Sequence, residues 1–197
     1  MKTALVTAPG TSYIISLTEA KTHMRVVSTA DNDYIKSLIK VATKRIEDMT
    51  GRKFISQTWY SYHDDWPNDN YIELPYAPLR SIPSSGVLYK CTTGNSTTMS
   101  STAWNYTTQQ EPPIVYLEYG DTWPSTGLYE FNPVRIQGVY GYSSGSTSVP
   151  VEIKQACKIM VSHWYENREP GIMGRIYTDV PMSVDALLAP FKLRWFS

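Results

Sequence analysis

Two structural periods meet in residues 31–62, which read DNDYIKSLIKVATKRIEDMTGRKFISQTWYSY. Up to residue 50 the apolar residues recur every three or four positions, which is the period of an amphipathic helix. This stripe predicts a helix over residues 31–50, with Asp31 or Asp33 as its N-cap and Gly51 just after its end. From Phe54 the period changes to two and β-forming residues dominate, which predicts a strand. The change of period within one short stretch indicates an α+β fold.

Three further helices are predicted outside this stretch. Ser16-Leu17-Thr18-Glu19 has the pattern of a capping box, in which Ser16 and Glu19 each satisfy a backbone N–H at the start of a helix over residues 17–27. Pro150 opens an apolar-periodic segment over residues 150–167, where a first-turn proline is tolerated. A short helix over residues 184–189 is predicted before Pro190. With the helix over 31–50, these segments predict a small helical bundle.

The chain between the second and third helices is rich in short strand patterns, prolines and Ser/Thr loops. These features predict an antiparallel β unit over about residues 54–142. We therefore expect a helical core made of residues 1–53 and 143–197, and a β-rich insertion made of residues 54–142. After the first strand at 54–62, strands are predicted at residues 71–74, 87–91, 104–106, 114–117 and 134–140.

The charges are balanced overall but not along the chain. Formal net charge is +0 over 197 residues, which argues against an electrostatic footprint for nucleic acid over the whole protein. Residues 21–53 hold eight Lys/Arg against four Asp/Glu, and residues 54–132 hold two against eight. Basic ends and an acidic middle suit stacking on like copies or on polarised partners. The alternative is that these are simply uneven solvated faces.

Cysteine usage and hydropathy indicate the cellular compartment in which the protein is made. The two cysteines, Cys91 and Cys157, fall in segments of different predicted type, so a reducing compartment is favoured over a disulfide framework. The first ten residues lack the apolar run of a signal peptide, and no run of 18 apolar residues occurs. We expect a protein made in the cytoplasm, with no membrane partner and no cofactor.

Two patterns resemble catalytic or metal sites without meeting their requirements. Gly141-Tyr142-Ser143-Ser144-Gly145 matches the nucleophile elbow, but that motif needs a helix to start at once, and small residues follow instead. His63-Asp64-Asp65 lacks further ligands at a recognisable spacing. We predict no catalytic residue, no metal site and no enzyme. A hydrolase using Ser143 is the disfavoured alternative.

Two other segments are better suited to binding. The residues HWYENRE at 163–169 close the third predicted helix and are dense in hydrogen-bonding side chains. Their place before a Gly-rich loop favours a junction over a recognition surface. The terminal FKLRWF at 191–196 would expose three aromatic rings in a free monomer, and such an end usually docks on a partner. The loop-anchoring or inter-subunit residues predicted here are His163, Trp164, Glu166, Arg168 and Glu169.

A series of short motifs, taken in order, resembles the head–tail connector (adaptor, head-completion) proteins of long-tailed bacteriophages, in the subgroup with a β insertion. The resemblance runs from about residue 14 to residue 195, although the loops at 92–102 and 120–130 carry no match. The motifs are Leu17-Thr18-Glu19-Ala20-Lys21, Thr50-Gly51-Arg52, Gln57-Thr58-Trp59, Ile72-Glu73-Leu74-Pro75, Pro78-Leu79, Gly141-Tyr142, Val149-Pro150, the 163–169 segment and Leu187-Leu188-Ala189-Pro190-Phe191.

The resemblance implies a non-enzymatic ring of twelve copies in the virion neck. Such a ring would join the portal of the filled capsid to a stopper or tail-terminator protein, and DNA would pass through it without sequence-specific binding. The long-helix cations would pair with acids of a neighbouring copy or of the portal: Lys36, Lys40, Lys44 and Arg45. The portal-docking residues would be Phe191, Lys192, Arg194, Trp195 and Phe196. The alternative function is a β-rich carbohydrate- or peptide-binding module on a helical scaffold.

Overall fold

The computed structural model describes residues 2–8, 10, 13–142, 148–168 and 182–193. These residues form an α+β fold, as the change of period predicts. The helices are α1 (Leu17–Met24), α2 (Asn32–Thr50), α3 (Val151–Glu166) and α4 (Met182–Leu188), followed by a 3-10 turn (Ala189–Phe191). The strands are β1 (Lys2–Thr7), β2 (Gln57–His63), β3 (Tyr71–Glu73), β4 (Leu79–Ser81), β5 (Val87–Lys90), β6 (Ser96–Thr98), β7 (Trp104–Thr107), β8 (Ile114–Leu117) and β9 (Val134–Tyr140).

The described residues divide into two compact units. The β unit holds residues 2–8, 56–142 and 193, and the helical unit holds residues 10, 13–55, 148–168 and 182–192. Strand β1 therefore lies in the β unit, although the sequence pattern had grouped residues 1–53 with the helices. Its partner β2 lies about fifty residues further along the chain, so no local turn signal marks the pairing.

The β unit is built from two antiparallel sheets. The larger sheet has the order β1-β2-β9-β5-β6, with β4 also pairing with β9, and the smaller has the order β3-β8-β7. Along β9 every second residue is buried, which is the period of a strand with one face on a core. At the edge of the larger sheet, the pairing of β1 with β2 is irregular between Leu5 and Thr7. The buried core of this unit comprises Ile72, Leu74, Leu79, Ile82, Val87, Met99, Trp104, Val115, Leu117, Ile136 and Tyr140.

A glycine makes room for the largest side chain in this core. Tyr140 is fully buried and packs edge-on against Tyr76, with 5.7 Å between ring centroids. A Cβ atom at Gly138 would come within 2.5 Å of the Tyr140 hydroxyl. Burial raises the pKa of Tyr140 well above its ordinary value, so the phenol stays protonated. The ring can lie across β9 at this point only because residue 138 has no side chain.

In the helical unit, the apolar stripes of the helices face one another. Helix α2 contacts α1, α3 and α4, and α3 contacts α1 and α4. Each fully buried isoleucine contributes about 1.5–3 kcal/mol, so the packed stripes are the main stabilising term. The predicted capping box is present: Glu19 N–H donates to Ser16 Oγ at 3.1 Å, and Ser16 N–H donates to Glu19 Oε2 at 2.8 Å. The buried residues of α2 and α3 include Ile35, Ile39, Ala42, Ile46, Ile153, Ala156, Cys157, Met160 and Val161.

The structure departs from the sequence prediction at several places. Helix α1 ends at Met24 because Arg25 adopts a left-handed conformation (φ 57°), so Val27 is 92% exposed instead of lying on the apolar stripe. Strand β6 lies within the polar stretch that had been predicted as loop 92–102. Its helical spacing from Met160 predicts that Trp164 lies on the apolar stripe of α3, but Trp164 is half-buried, whereas Met160 and Val161 are buried.

We expect Gly138→Ala to destabilise the β unit by about 1–3 kcal/mol, because the added methyl group displaces the Tyr140 ring from a filled core. Urea unfolding followed by tryptophan fluorescence measures the change. Ser96→Ala, in an exposed strand of the same unit, is the control and should stay within about 0.5 kcal/mol of the wild type. Equal stability of the two variants would show that the Tyr140 ring can move aside.

Candidate functional site

A polar cluster joins the start of α2 to the end of α3 within the helical unit. The Tyr165 hydroxyl donates to Asp31 Oδ2 at 2.7 Å, and Arg168 Nη2 donates to Asp31 Oδ1 at 3.4 Å. The Arg168 guanidinium also lies over two aromatic rings, 4.7 Å from the centroid of Tyr34 and 5.2 Å from that of Tyr165. We call these four residues the Asp31 cluster. Their contacts hold the two helix ends together.

Asp31 occupies the N-cap position of α2, but its side chain makes no capping hydrogen bond. Its carboxylate is used for the contact with α3 instead. The hydrogen bond from Tyr165, aided by the charge of Arg168, holds the pKa of Asp31 below its ordinary value. The same hydrogen bond raises the pKa of Tyr165. Both shifts favour the ionised carboxylate and the protonated phenol that the contact needs.

The predicted junction at 163–169 therefore includes contacts that the sequence did not reveal. Asn167 ends α3 by donating both its backbone N–H (3.1 Å) and its Nδ2 (2.8 Å) to the carbonyl of His163. Glu166 is exposed, and Glu169 lies outside the described residues. Tyr165 and Asp31 were not among the predicted site residues. The residues Tyr165 and Asp31 are 134 positions apart, so no spacing pattern in the sequence marks their contact.

The four predicted cations of α2 all lie on its exposed face. Two are paired within the helix: Lys36 Nζ lies 2.9 Å from Asp33 Oδ1, and Lys44 Nζ lies 2.8 Å from Asp48 Oδ1. Lys40 and Arg45 make no ion pair with any residue in the described ranges. We call Lys36, Lys40, Lys44 and Arg45 the α2 basic face. Within it, Lys40 and Arg45 have charges available to another molecule.

Three charged side chains are buried at the end of α2. Glu47 and Arg52 are each 6% exposed and Lys53 is 3% exposed. Glu47 accepts from Lys53 Nζ at 3.4 Å and from the backbone N–H of Phe54 at 3.2 Å. Burial lowers the pKa of Lys53, and the nearby Glu47 carboxylate opposes that shift. Arg52 Nε donates to the backbone carbonyl of Phe191 at 2.6 Å.

This contact places Arg52 at the start of the predicted portal-docking segment. Phe191 is half-buried and ends the 3-10 turn. Lys192 is exposed, with Nζ 3.6 Å from Asp185 Oδ1. Arg194, Trp195 and Phe196 lie outside the described residues. In the sequence, Arg52 stands out only as part of the Thr50-Gly51-Arg52 motif. Its hydrogen bond to the carbonyl of Phe191 joins residues 139 positions apart, so no spacing pattern predicts it.

The β unit carries an open groove of about 700 Å³ beside strand β7. Asn105 Nδ2 donates to Glu118 Oε1 at 3.0 Å at this groove, and Tyr119 is fully exposed. Aromatic rings beside carboxylates suit a cationic or hydroxyl-bearing ligand. The aromatic and acidic residues of its lining are Trp104, Tyr106, Tyr119, Glu118 and Asp121.

The described residues offer neither a metal site nor a membrane-spanning helix. No group of three or more His, Cys, Asp or Glu in the described ranges could hold a metal ion. Burial lowers the pKa of His63 to about 4, so this imidazole is neutral at pH 7. No helix in the described part of the chain is long and apolar enough to cross a membrane. Ser143 of the elbow-like motif lies outside the described residues.

The sequence matches one family model. Residues 14–84 match the model of the phage gp6-like head-tail connector proteins. This stretch includes α1, α2 and the first strands after them, so it holds the Leu17–Lys21, Thr50–Arg52 and Gln57–Trp59 motifs on which the resemblance depends. The match confirms the resemblance to head–tail connectors over these residues. No curated protein sequence matches the chain.

Solved structures share the fold along the whole chain. A chain in the neck of an empty GTA particle, computed with C6 symmetry, has a TM-score of 0.82 and 21% identity. A chain in the virion of a native gene transfer agent (GTA) particle has a TM-score of 0.80 and 21% identity. A chain in the neck of the native GTA particle, computed with C12 symmetry, has a TM-score of 0.78 and 20% identity. Each comparison covers 100% of this chain and 98% of the other, so the likeness includes both units.

We expect Tyr165→Phe to raise the pKa of Asp31 toward its ordinary value of 3.8, because the phenol no longer donates to the carboxylate. A carboxyl group whose pKa is lower in the folded than in the unfolded protein stabilises the fold at pH values above its ordinary pKa. That stabilisation is lost as the pH falls through the lowered pKa. The variant should therefore lose less stability than the wild type on acidification. NMR titration of the Asp31 carboxyl carbon measures the shift, with the exposed Tyr71→Phe as control. Identical Asp31 titration in wild type and Tyr165→Phe would mean that the hydrogen bond is absent in solution.

Proposed function

We propose that this protein is a structural virion protein: a head–tail connector ring in the neck that joins the portal of the filled capsid to a tail or stopper protein. The observation that carries the proposal is the whole-chain fold shared with neck chains, at a TM-score of 0.82 and 98% coverage of the other chain. The family match over residues 14–84 supports it from sequence. The protein would be made in the host cytoplasm and become part of the neck.

A ring of this kind needs an interface between two different patches on each copy, since only head-to-tail contacts close into rings. The α2 basic face offers one patch, with Lys40 and Arg45 unpaired among the described residues. Acidic residues outnumber basic ones by eight to two over residues 54–132. Opposite charges on separate parts of one chain favour contact between successive copies. The C6 and C12 symmetries of the related necks support a ring, which we propose to have twelve copies.

We further propose that the C-terminal segment docks on the portal. Of its described residues, Phe191 is half-buried and Lys192 is exposed. Arg194, Trp195 and Phe196 would supply the aromatic and cationic anchors that dominate many interfaces. In the neck, DNA would pass through the ring channel without sequence-specific binding. Tight phosphate contacts would oppose its movement, which agrees with a formal net charge of +0.

A non-enzymatic role accompanies this proposal, because the matched family is described as connectors. One observation favours a second candidate function. The groove lined by Trp104, Tyr119 and Glu118 has the aromatic and polar lining of a carbohydrate- or peptide-binding site. Binding of the purified protein to a glycan array, lost in the variant of the fully exposed groove residue Tyr119→Ala, would favour this module. Ring-shaped particles in negative stain and co-purification with a portal would favour the connector.

We expect Lys40→Glu/Arg45→Glu to weaken ring formation by at least about tenfold, because the α2 basic face would then repel the acids it meets on a neighbouring copy. Analytical ultracentrifugation and negative-stain imaging measure the assembly. Lys2→Glu/Arg25→Glu is the matched control, since it changes the net charge equally at two exposed positions outside both α2 and residues 54–132. If both double variants assemble like the wild type, the α2 basic face is not part of the ring interface.

Truncation after Lys192 should leave ring formation intact and reduce co-purification with the portal to a weak but measurable residual level. The shortened chain keeps α4 and the 3-10 turn but lacks Arg194, Trp195 and Phe196. Attachment to DNA-filled capsids should fall in parallel. A full-length Leu193→Ala variant, which retains those three residues, is the control. Portal binding by the truncated chain at wild-type strength would disprove docking through the C-terminal segment.

A further inference from the structure

We propose that Arg52 is a positioning residue that fixes where the C-terminal segment leaves the helical unit, and thereby determines how strongly that segment engages the portal. This inference rests on the proposed docking of the segment. It assigns a role to a buried side chain that lies just after the end of α2 and belongs to neither predicted interface.

The geometry begins at the end of α2. Gly51 closes the helix in a left-handed conformation (φ 71°), with its N–H donating to the carbonyl of Glu47 at 2.9 Å. A residue with a side chain would be strained there. Arg52 follows directly, 6% exposed, and its Nε reaches the carbonyl of Phe191 at 2.6 Å. The hydrogen bond joins residues 139 positions apart, and its acceptor is the last carbonyl of the 3-10 turn.

The backbone that carries Arg52 is itself held in place. Glu47 accepts from the N–H of Phe54 at 3.2 Å and from Lys53 Nζ at 3.4 Å, so the residues that follow Arg52 are tied back to α2. Thr50, just before the closing glycine, donates its hydroxyl to the carbonyl of Ile46 at 2.7 Å. A guanidinium on so constrained a backbone has little freedom, and its planar fork adds direction to the contact. It can therefore fix the position of the Phe191 carbonyl.

Stability alone does not account for a buried cation at this place. Removing a guanidinium from water is costly, and well-packed apolar side chains often replace buried ions without loss of stability. A charge-assisted hydrogen bond, by contrast, is short and directional. The other described tie near this point, Lys192 to Asp185, is exposed and weak by comparison. Arg52 is thus the strong link between the helical core and the start of the docking segment.

The test combines Arg52→Met with the truncation after Lys192. Arg52→Met keeps an unbranched side chain, although a shorter one, and cannot donate a hydrogen bond. We expect it to assemble into rings and to bind the portal roughly tenfold more weakly than the wild type. In the truncated chain the same substitution should change portal co-purification no further, because the segment that it positions is gone. Trypsin should also cleave after Lys192 faster in Arg52→Met than in the wild type. Arg80→Met, which replaces an exposed arginine of the β unit, is the matched control for that cleavage.

The outcomes separate the inference from the function on which it rests. If truncation weakens portal binding but Arg52→Met does not, the inference is wrong and the docking proposal stands. If the two changes weaken binding additively, Arg52 acts elsewhere and the inference is again wrong. If truncation has no effect on portal binding, the docking proposal fails and the inference fails with it. Should Arg52→Met not fold, Arg52→Lys keeps the buried charge, lacks the fork, and is expected to show the same non-additive loss in smaller degree.

Discussion

The buried carboxylate of Glu47 is the constraint around which the helical unit is arranged. A carboxyl group at 6% exposure needs hydrogen-bond partners, and Glu47 contacts Lys53 and the N–H of Phe54. These contacts of Glu47 hold the chain that follows α2 against the helix. Within that stretch, Arg52 donates to the carbonyl of Phe191 at the end of the 3-10 turn. The end of the long helix and the end of the last helical segment are thereby tied at one place. Apolar stripes supply most of the stability of this unit, while these few polar contacts determine which segments meet.

Periodicity predicted the elements whose stabilising contacts repeat along the chain. The stripe of α2 and the alternation of β9 are long enough for each turn or pair of residues to add to the signal, and both elements lie where the pattern placed them. The sequence pattern did not predict two strands that are each held by pairing with one other strand. Strand β1 depends on pairing with β2, and β6 is three exposed Ser and Thr residues held by β5. The sequence pattern predicts a first helix that continues to residue 27. In the structure α1 ends at Met24, because Arg25 adopts a left-handed backbone conformation.

In the candidate site, too, the sequence did not predict which distant side chains meet. The density of polar residues at 163–169 indicated a junction, and Arg168 does contact Asp31 across the helical unit. Asp31 itself had been read as a helix cap, since Asp before a helix usually bonds the nearest N–H groups. In the structure that carboxylate is taken by Tyr165 and Arg168 instead. A sequence records which groups can form hydrogen bonds, but the choice between a local and a distant partner depends on packing that only the folded chain specifies.

The irregular pairing at the edge of the larger sheet has a consequence for a protein that would be gathered in many copies. Among the described residues, strand β1 pairs with β2 alone, and the edge strand of a sheet is a template on which another chain could continue the sheet. The break in register between Leu5 and Thr7 and the charge of Lys2 make β1 a poor template. Copies would then associate through side-chain surfaces, whose geometry limits the number that fit around a closed circle. A molecule protected in this way can be concentrated at an assembly site without polymerising into fibres.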